Sequence, residues 1–291
     1  MRSSSTVVSS PGHSPSRTSS ARSTRRSSAR HSRRAFVAVI RGIVFDLFDT
    51  LVDQNHERLM PVEVEGRRVG ATTPALHACA RDRFGVDLPL LEFADRARDV
   101  DRELRAETID QGVELSTLDR FTALGTHLRL SDVLAFAQAL TEVHMGALYE
   151  ACTVPAHHEN ILVALGIEYS MALCSNFTHA ATARTVLRDA RFDEHLSSVV
   201  ISEEIGIRKP RPEIFQAVID DLGVPPEELL HVGDNLIADV QGASALGIRT
   251  VWLTRKVKDP EAALAAYDGP RPDFALEDLV DLPVLAARLS V

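Results

Sequence analysis

Asp46 stands at the end of the run Gly42-Ile43-Val44-Phe45, with Leu47 directly after it. The run is apolar and partly β-branched, which suits a strand buried on both faces of a parallel sheet. In an open α/β sheet, ligands gather at the carboxyl ends of the strands. Asp46 therefore lies where a catalytic carboxylate is expected, with a plain turn-forming role as the competing reading. Three later stretches also bring polar groups to strand ends. Met171-Ala172-Leu173-Cys174 runs into Ser175 and Asn176, and Gly206-Ile207-Arg208 leads to Lys209 and Pro210. Leu229 to Val232 leads to Gly233, Asp234 and Asn235, with Asp239 five residues beyond Asp234.

The chemistry of this set is coherent. A carboxylate such as Asp46 can act as a nucleophile and split one hard displacement into two easier ones. Asp46 and Asp234 are hard oxygen donors suited to Mg2+, which takes one or two carboxylates and keeps several waters. Two like unit charges about 4 Å apart repel by about 4 kcal/mol at an effective dielectric of about 20. An anionic nucleophile meeting a phosphate therefore needs cations beside it, and Lys209 supplies one besides the metal. Ser175 and the main-chain amides of Asn176 and Phe177 are donors for phosphoryl oxygens. Plainer readings exist: Ser175 as a helix cap, Lys209 as a surface residue, Asp234 and Asp239 as loop acids. Lysine is rare here, however, with only Lys209, Lys256 and Lys258 in the chain.

The elements that must position these residues alternate. After Pro155 the pattern predicts a helix over 156–165, a strand over 167–174 and a helix over 179–189. It continues with a strand over 198–201, a helix over 212–222, a strand over 229–232, a helix ending at Gly247 and a strand over 248–253. A short strand near Phe274 and a closing helix follow. Strands alternating with helices imply a parallel sheet with right-handed crossovers. Between Leu51 and Pro155 the alternation stops. A small hairpin around Gly66 comes first, then four helical patterns over 72–84, 88–108, 116–128 and 131–151. Ser131 with Asp132 is a plausible cap for the last. Arg67 and Arg68 on the hairpin read as solvent-exposed, His157 and His158 as an exposed helix start, and Trp252 as core or sheet edge.

Hydrophobic residues make up 45% of the 291 residues, enough for one large or two smaller cores. No apolar run approaches a membrane span. Three scattered cysteines, Cys79, Cys152 and Cys174, lack metal spacing and read as reduced thiols of a cytoplasmic protein. Residues 1–34 hold eight arginines, many serines and no acid, so the rest of the chain carries 24 basic against 41 acidic residues. A body that acidic is not expected to bind nucleic acid. The Ser/Arg-rich stretch is too polar to fold alone. A transit peptide, a basic arm and a segment outside the working protein all fit it. A start near Val37 or Val39, opening directly into the first strand, is the favoured expectation.

The four motifs, in order across about residues 42–254, resemble those of the haloacid dehalogenase superfamily. The resemblance implies a Rossmann-like α/β core over residues 35–53 and 154–291, with an inserted α-helical cap over 54–153 that closes on a small substrate. It implies Asp46 as nucleophile, Ser175 and Asn176 at the phosphate, and Lys209 steadying both nucleophile and phosphate. It also implies Mg2+ held by Asp46, Asp234 and the backbone carbonyl of Phe48, with Asp239 as a supporting or metal-site acid and Asn235 nearby.

One position departs from the pattern. Phosphatases of this superfamily carry a second Asp two residues after the nucleophile, which protonates the leaving oxygen and later activates water. Here that residue is Phe48. Asp49 is adjacent but is expected to point elsewhere. Members that cleave carbon–halogen bonds also lack this acid, yet they generally lack the metal acids that this chain keeps. Three functions are therefore expected to compete: a Mg2+-dependent phosphatase acting on a small phosphorylated molecule, a 2-haloacid dehalogenase, and a weakly catalytic binding or regulatory protein.

Overall fold

The computed structural model describes residues 39–290. The expectations for residues 1–34 and for a start near Val37 lie outside the described residues. Strand β1 (Gly42–Phe45) is followed by β2 (Asp53–Gln54), the hairpin β3 (Val62–Val64) and β4 (Arg67–Val69), and four helices. These are α1 (Thr73–Phe84), α2 (Leu90–Glu107), α3 (Thr117–His127) and α4 (Val133–Glu150). Then come β5 (Cys152–Thr153), α5 (His158–Leu165), β6 (Ser170–Ser175), α6 (Ala180–Asp189), β7 (Ser198–Ile201), α7 (Ser202–Ile205) and α8 (Pro212–Leu222). The chain finishes with β8 (Leu229–Gly233), a π-type helix (Leu236–Gln241), α9 (Gly242–Ser244), β9 (Arg249–Leu253), α10 (Pro260–Ala265), β10 (Phe274–Leu276) and α11 (Leu282–Leu289).

Six strands form one sheet in the order β10-β9-β8-β1-β6-β7, and every neighbouring pair is parallel. The chain moves from β1 outward through β6 to β7, then returns to the other side of β1 as β8. That reversal places a crevice at the carboxyl end of β1, where α/β sheets bind ligands. Register brings the motif residues level. Phe45 pairs with Leu173 on one side and Val232 on the other, so Asp46 follows in step with Cys174 and Gly233. Alternate residues of β1 fill opposite faces. Ile43 and Phe45 join one buried cluster with Leu162, Leu173 and Leu282. Val44 joins another with Ile214, Phe215 and Val218.

The helical stretch has a core of its own. Leu76, Phe93, Phe121, Phe136 and Leu140 pack together away from the sheet. A Cβ on Gly125 would come within 2.9 Å of the Phe136 ring, so its absence lets α3 and α4 pack closely. Ser116 caps α3 by accepting from Asp119 N, and Asp132 caps α4 by accepting from Ala135 N at 3.1 Å. The helices meet the core along a polar seam. Thr117 N donates to Thr178 O at 2.9 Å, Glu114 N to Gly206 O at 2.9 Å and Arg208 N to Gly112 O at 3.1 Å. The buried Glu114 carboxylate accepts from Arg208 at 3.1 Å and from the Ser202 hydroxyl.

Two elements differ from expectation. The strand expected from Ile167 begins at Ser170, because Ile167 is left in solvent by the turn after Gly166. His158, expected to be exposed, is buried. Its Nδ1 is 2.8 Å from the carbonyl oxygen of Leu51, which holds the ring under the loop after β1. Arg67 is exposed as expected and pairs with Asp95. No helix among the described residues is long and apolar enough to cross a membrane.

His144 on α4 gives a pH signature. Burial, with Arg120 adding to it, pushes this imidazole down to about 4, and its Nδ1 lies 2.9 Å from Thr72 Oγ1. The unfolded chain takes up a proton near pH 6.5 and the folded chain does not until about pH 4. The unfolded state then binds more protons, so stability falls as the pH drops through that window. The expected loss is about 2–3 kcal/mol. Urea unfolding at pH 7 and pH 4.5 measures it, and His144→Gln should shrink the difference.

Candidate active site

Asp46 leaves the end of β1 with its main-chain N–H donating to Val232 O at 2.9 Å. Lys209 reaches it from the loop before α8, with Nζ 2.7 Å from Asp46 Oδ1. The same ammonium is 2.6 Å from Asp239 Oδ1. Asp239 is buried behind the site and its oxygens are taken. Oδ1 also accepts from His231 Nε2 at 2.9 Å, and Oδ2 accepts from Asn235 N at 3.0 Å. Asp239 thus anchors Lys209 and the loop after β8, while Asp46 and Asp234 present the freer carboxylates. A Cβ on Gly233 would lie 2.2 Å from Asp239 Cγ, so only glycine lets that carboxylate tuck under the end of β8. One ligating oxygen from each of Asp46, Asp234 and Asp239 lies within 4.8 Å of the others.

Charge at this cluster is unbalanced. Three carboxylates face the Lys209 ammonium. Burial, reinforced by Asp46 and then Asp239, pushes the Asp234 carboxyl up to about 8. Burial also raises Asp46, against the pull of Lys209. For Lys209 burial works against the charge, but Asp239 and Asp46 outweigh it and keep the amine protonated. For Asp239, burial is outweighed by Lys209 and His231, which hold the carboxyl below its usual range.

Ser175 ends β6 fully buried, and its Oγ has no hydrogen-bond partner. A buried hydroxyl beside the cluster and without a partner is a donor awaiting an acceptor. Asn176, expected at the phosphate, spends its side chain elsewhere. Its Nδ2 donates to Lys209 O at 2.9 Å and its Oδ1 accepts from Lys209 N at 2.7 Å. An amide can satisfy both sides of one residue's backbone in this way, and the result fixes where Lys209 begins. Asn176→Ala is expected to lower turnover by about 10–100-fold through misplacement of Lys209, with little change in far-UV circular dichroism. The Phe177 amide, expected as a phosphate donor, instead donates to Ser202 Oγ at 2.9 Å. Asn235, expected near the metal, turns its Oδ1 to Ile237 N and Ala238 N as a helix cap.

Phe48 is half-buried, its ring centroid 4.6 Å from that of Phe177. Asp49, at φ 57°, has its carboxylate turned into the loop, where Oδ1 accepts from Gln54 N at 3.1 Å and Oδ2 lies 2.7 Å from His56 Nε2. Trp252 is core, and its indole N–H holds the Asp234 carbonyl at 2.8 Å. His231 was not singled out from the sequence. Its signal was there, a lone imidazole inside the apolar run Leu229-Leu230-His231-Val232.

The sheet order, with polar groups gathered at its carboxyl edge by the ends of β1, β6 and β8 and by the loop before α8, defines a class of α/β fold. The chain belongs to the haloacid dehalogenase-like hydrolases, whose family model matches residues 40–247. A phosphoserine phosphatase of Thermus thermophilus is 42% identical over 98 residues, which are 33% of this chain and 36% of that enzyme. Matches to the curated phosphatase relatives thus span well under two thirds of their length. An (S)-2-haloacid dehalogenase of a Pseudomonas species is 27% identical over 256 residues, covering 86% of this chain and 98% of that enzyme. Among solved structures, a 2-haloacid dehalogenase from Pseudomonas syringae aligns with a TM-score of 0.64 at 20% identity, over 86% of this chain and 99% of its own. At that identity the likeness speaks to the fold.

Proposed function

We propose that the chain is a Mg2+-dependent phosphatase of small phosphorylated molecules, working through an aspartyl-phosphate at Asp46. The observation that carries this is the gathering of Asp46, Asp234 and Asp239 about one ammonium, with a ligating oxygen of each within 4.8 Å of the others. Burial, with Asp46 and Asp239 adding to it, pushes the Asp234 carboxyl up to about 8, a penalty on the charged form that a divalent cation would relieve. The all-oxygen donor set fits Mg2+. Asp46 and Asp234 would hold the ion, with the Phe48 carbonyl completing the set and Asp239 in support. When bound, the metal supplies positive charge against the phosphate.

The remaining work falls to the chain's own groups. An Asp46 oxygen attacks phosphorus and the bond from phosphorus to the leaving oxygen breaks. Lys209 sits on the attacking carboxylate and offsets charge as the phosphate nears. The Ser175 hydroxyl donates to a phosphoryl oxygen. No acid stands at Phe48 to protonate the departing alkoxide, so esters with acidic leaving groups are the favoured substrates. The helical block serves as a cap. A cavity of about 520 Å3, lined by Leu118, Gln138, Thr141, Glu142, His179 and Glu203, lies between it and the core. Asp46, Ser175, Lys209 and Asp234 do not line it; Asp234 borders a separate cavity of about 320 Å3 with Asn235, Trp252 and Tyr267.

A second reading has two observations in its favour. The aromatic residue at position 48 and the near full-length likeness to a dehalogenase fit chemistry whose leaving group needs no proton. A cation on Asp46 would blunt attack on carbon, which ranks this reading lower. A panel of phosphate esters with Mg2+, run beside 2-haloacids in chelator, separates the two. Phosphate release that requires Mg2+ supports the proposal, and metal-independent halide release overturns it. If the wild type releases neither and only Phe48→Asp hydrolyses esters, a binding or regulatory protein is the better description.

A further inference from the structure

We propose that His157, His158 and Asp278 form a second divalent-metal site, of the kind that takes Zn2+, apart from the Asp46 and Asp234 cluster. One ligating atom from each of the three lies within 4.8 Å of the others. The buried residue is the telling one. His158 is fully enclosed, and its Nδ1 lies 2.8 Å from Leu51 O. A carbonyl can only accept, so Nδ1 carries the proton and the lone pair falls on Nε2. That Nε2 is buried and has no hydrogen-bond partner. An imidazole anchored through one nitrogen to a backbone carbonyl, with the other nitrogen bare, is arranged as metal-binding histidines are.

The other two groups are placed to complete the site. His157 Nε2 lies 2.8 Å from Asp278 Oδ1, and the two imidazole rings meet edge to face with centroids 4.7 Å apart. Two imidazoles and a carboxylate are a borderline donor set that suits Zn2+ better than Mg2+ or Ca2+. Tetrahedral zinc, with bonds near 2.0–2.2 Å, sets its donor atoms roughly 3.4 Å apart. The side chains of His157 and Asp278 are 46% and 27% exposed, so both can shift to that spacing, and a solvent-facing fourth position remains. Arg255 Nε is 3.7 Å from Asp278 Oδ2 and the guanidinium is held mainly by Asp53. It shields the outer carboxylate oxygen, while Oδ1, which also accepts from Val280 N at 2.9 Å, is the oxygen turned toward the His157 imidazole.

The site would join three segments far apart in sequence: the loop after β1 through Leu51, the start of α5, and the segment before α11. It does not touch the reacting groups. Its effect is to brace the loop that leaves Asp46.

Full-length protein stripped with chelator, returned to saturating Mg2+ and titrated with Zn2+, tests this by equilibrium dialysis and thermal unfolding. The wild type is expected to take up zinc and to gain melting temperature with it. His157→Ala and Asp278→Asn are each expected to weaken zinc binding by about 10–100-fold and to remove the thermal shift. His157 is exposed, and Asn at 278 keeps the acceptor that Val280 N uses, so both variants should melt like wild type without zinc. No zinc uptake by the wild type overturns the proposal. Undiminished uptake in either variant also overturns it, because cysteines or the Asp46 cluster would then be the ligands.

Discussion

Asp46→Asn is expected to cut turnover of any phosphate ester by roughly 10³-fold or more, because an amide cannot take up a phosphoryl group. The fold should survive. Lys209 keeps Asp239 at 2.6 Å, and an amide oxygen at position 46 can still accept from the ammonium. The loss should appear in kcat rather than in KM, since the substituted group acts on phosphorus and not on the rest of the substrate. Affinity for Mg2+ should fall as well, because one of its two freer carboxylates is gone. Initial rates at saturating Mg2+, with circular dichroism as a fold control, measure this. Activity within tenfold of wild type would remove Asp46 from the chemistry.

Phe48→Asp is the second large effect, and it runs the other way. A carboxylic acid two residues beyond the nucleophile restores the missing proton donor, work worth about 10²–10⁴-fold for a leaving group that needs a proton. The gain should be large for alkyl phosphates and small for aryl phosphates whose leaving group is already acidic. That selectivity separates proton transfer from any general change in the site. The substitution also removes a ring that packs 4.6 Å from Phe177, at a cost of about 1–3 kcal/mol. Rates should therefore be compared below the melting transition of the variant. An equal gain on both ester classes would mean that Phe48 matters for access rather than for the absent acid.

The strand ends were legible because apolar runs stop abruptly at polar residues, and parallel pairing then brings those ends to one edge. Asp46 and Asp234 come together for that reason, whereas Lys209, read as following a strand, comes from the loop after α7 and Asp239 from the π-type helix. Side-chain use was less legible. Asn176 sits at the expected strand end, but spacing cannot say that both ends of its amide are spent on Lys209. The Phe177 amide is lost to Ser202, which lies 25 residues away, a contact that only the register of β6 against β7 creates. His158 read as exposed because it opens a helix, yet the loop after β1 lies over it and hides it. His231 is less legible because the apolar run around it explains a buried strand without asking what one imidazole is for.

Beryllofluoride binding tests the central claim most directly, since the ion adds to an aspartate in the place of a phosphoryl group. Fluorine NMR of the wild type with Mg2+ should show a bound beryllofluoride signal. That signal should vanish when Mg2+ is chelated or when Asp46 is changed to Asn. A wild type that shows no bound signal, or one that persists in Asp46→Asn, would contradict the account.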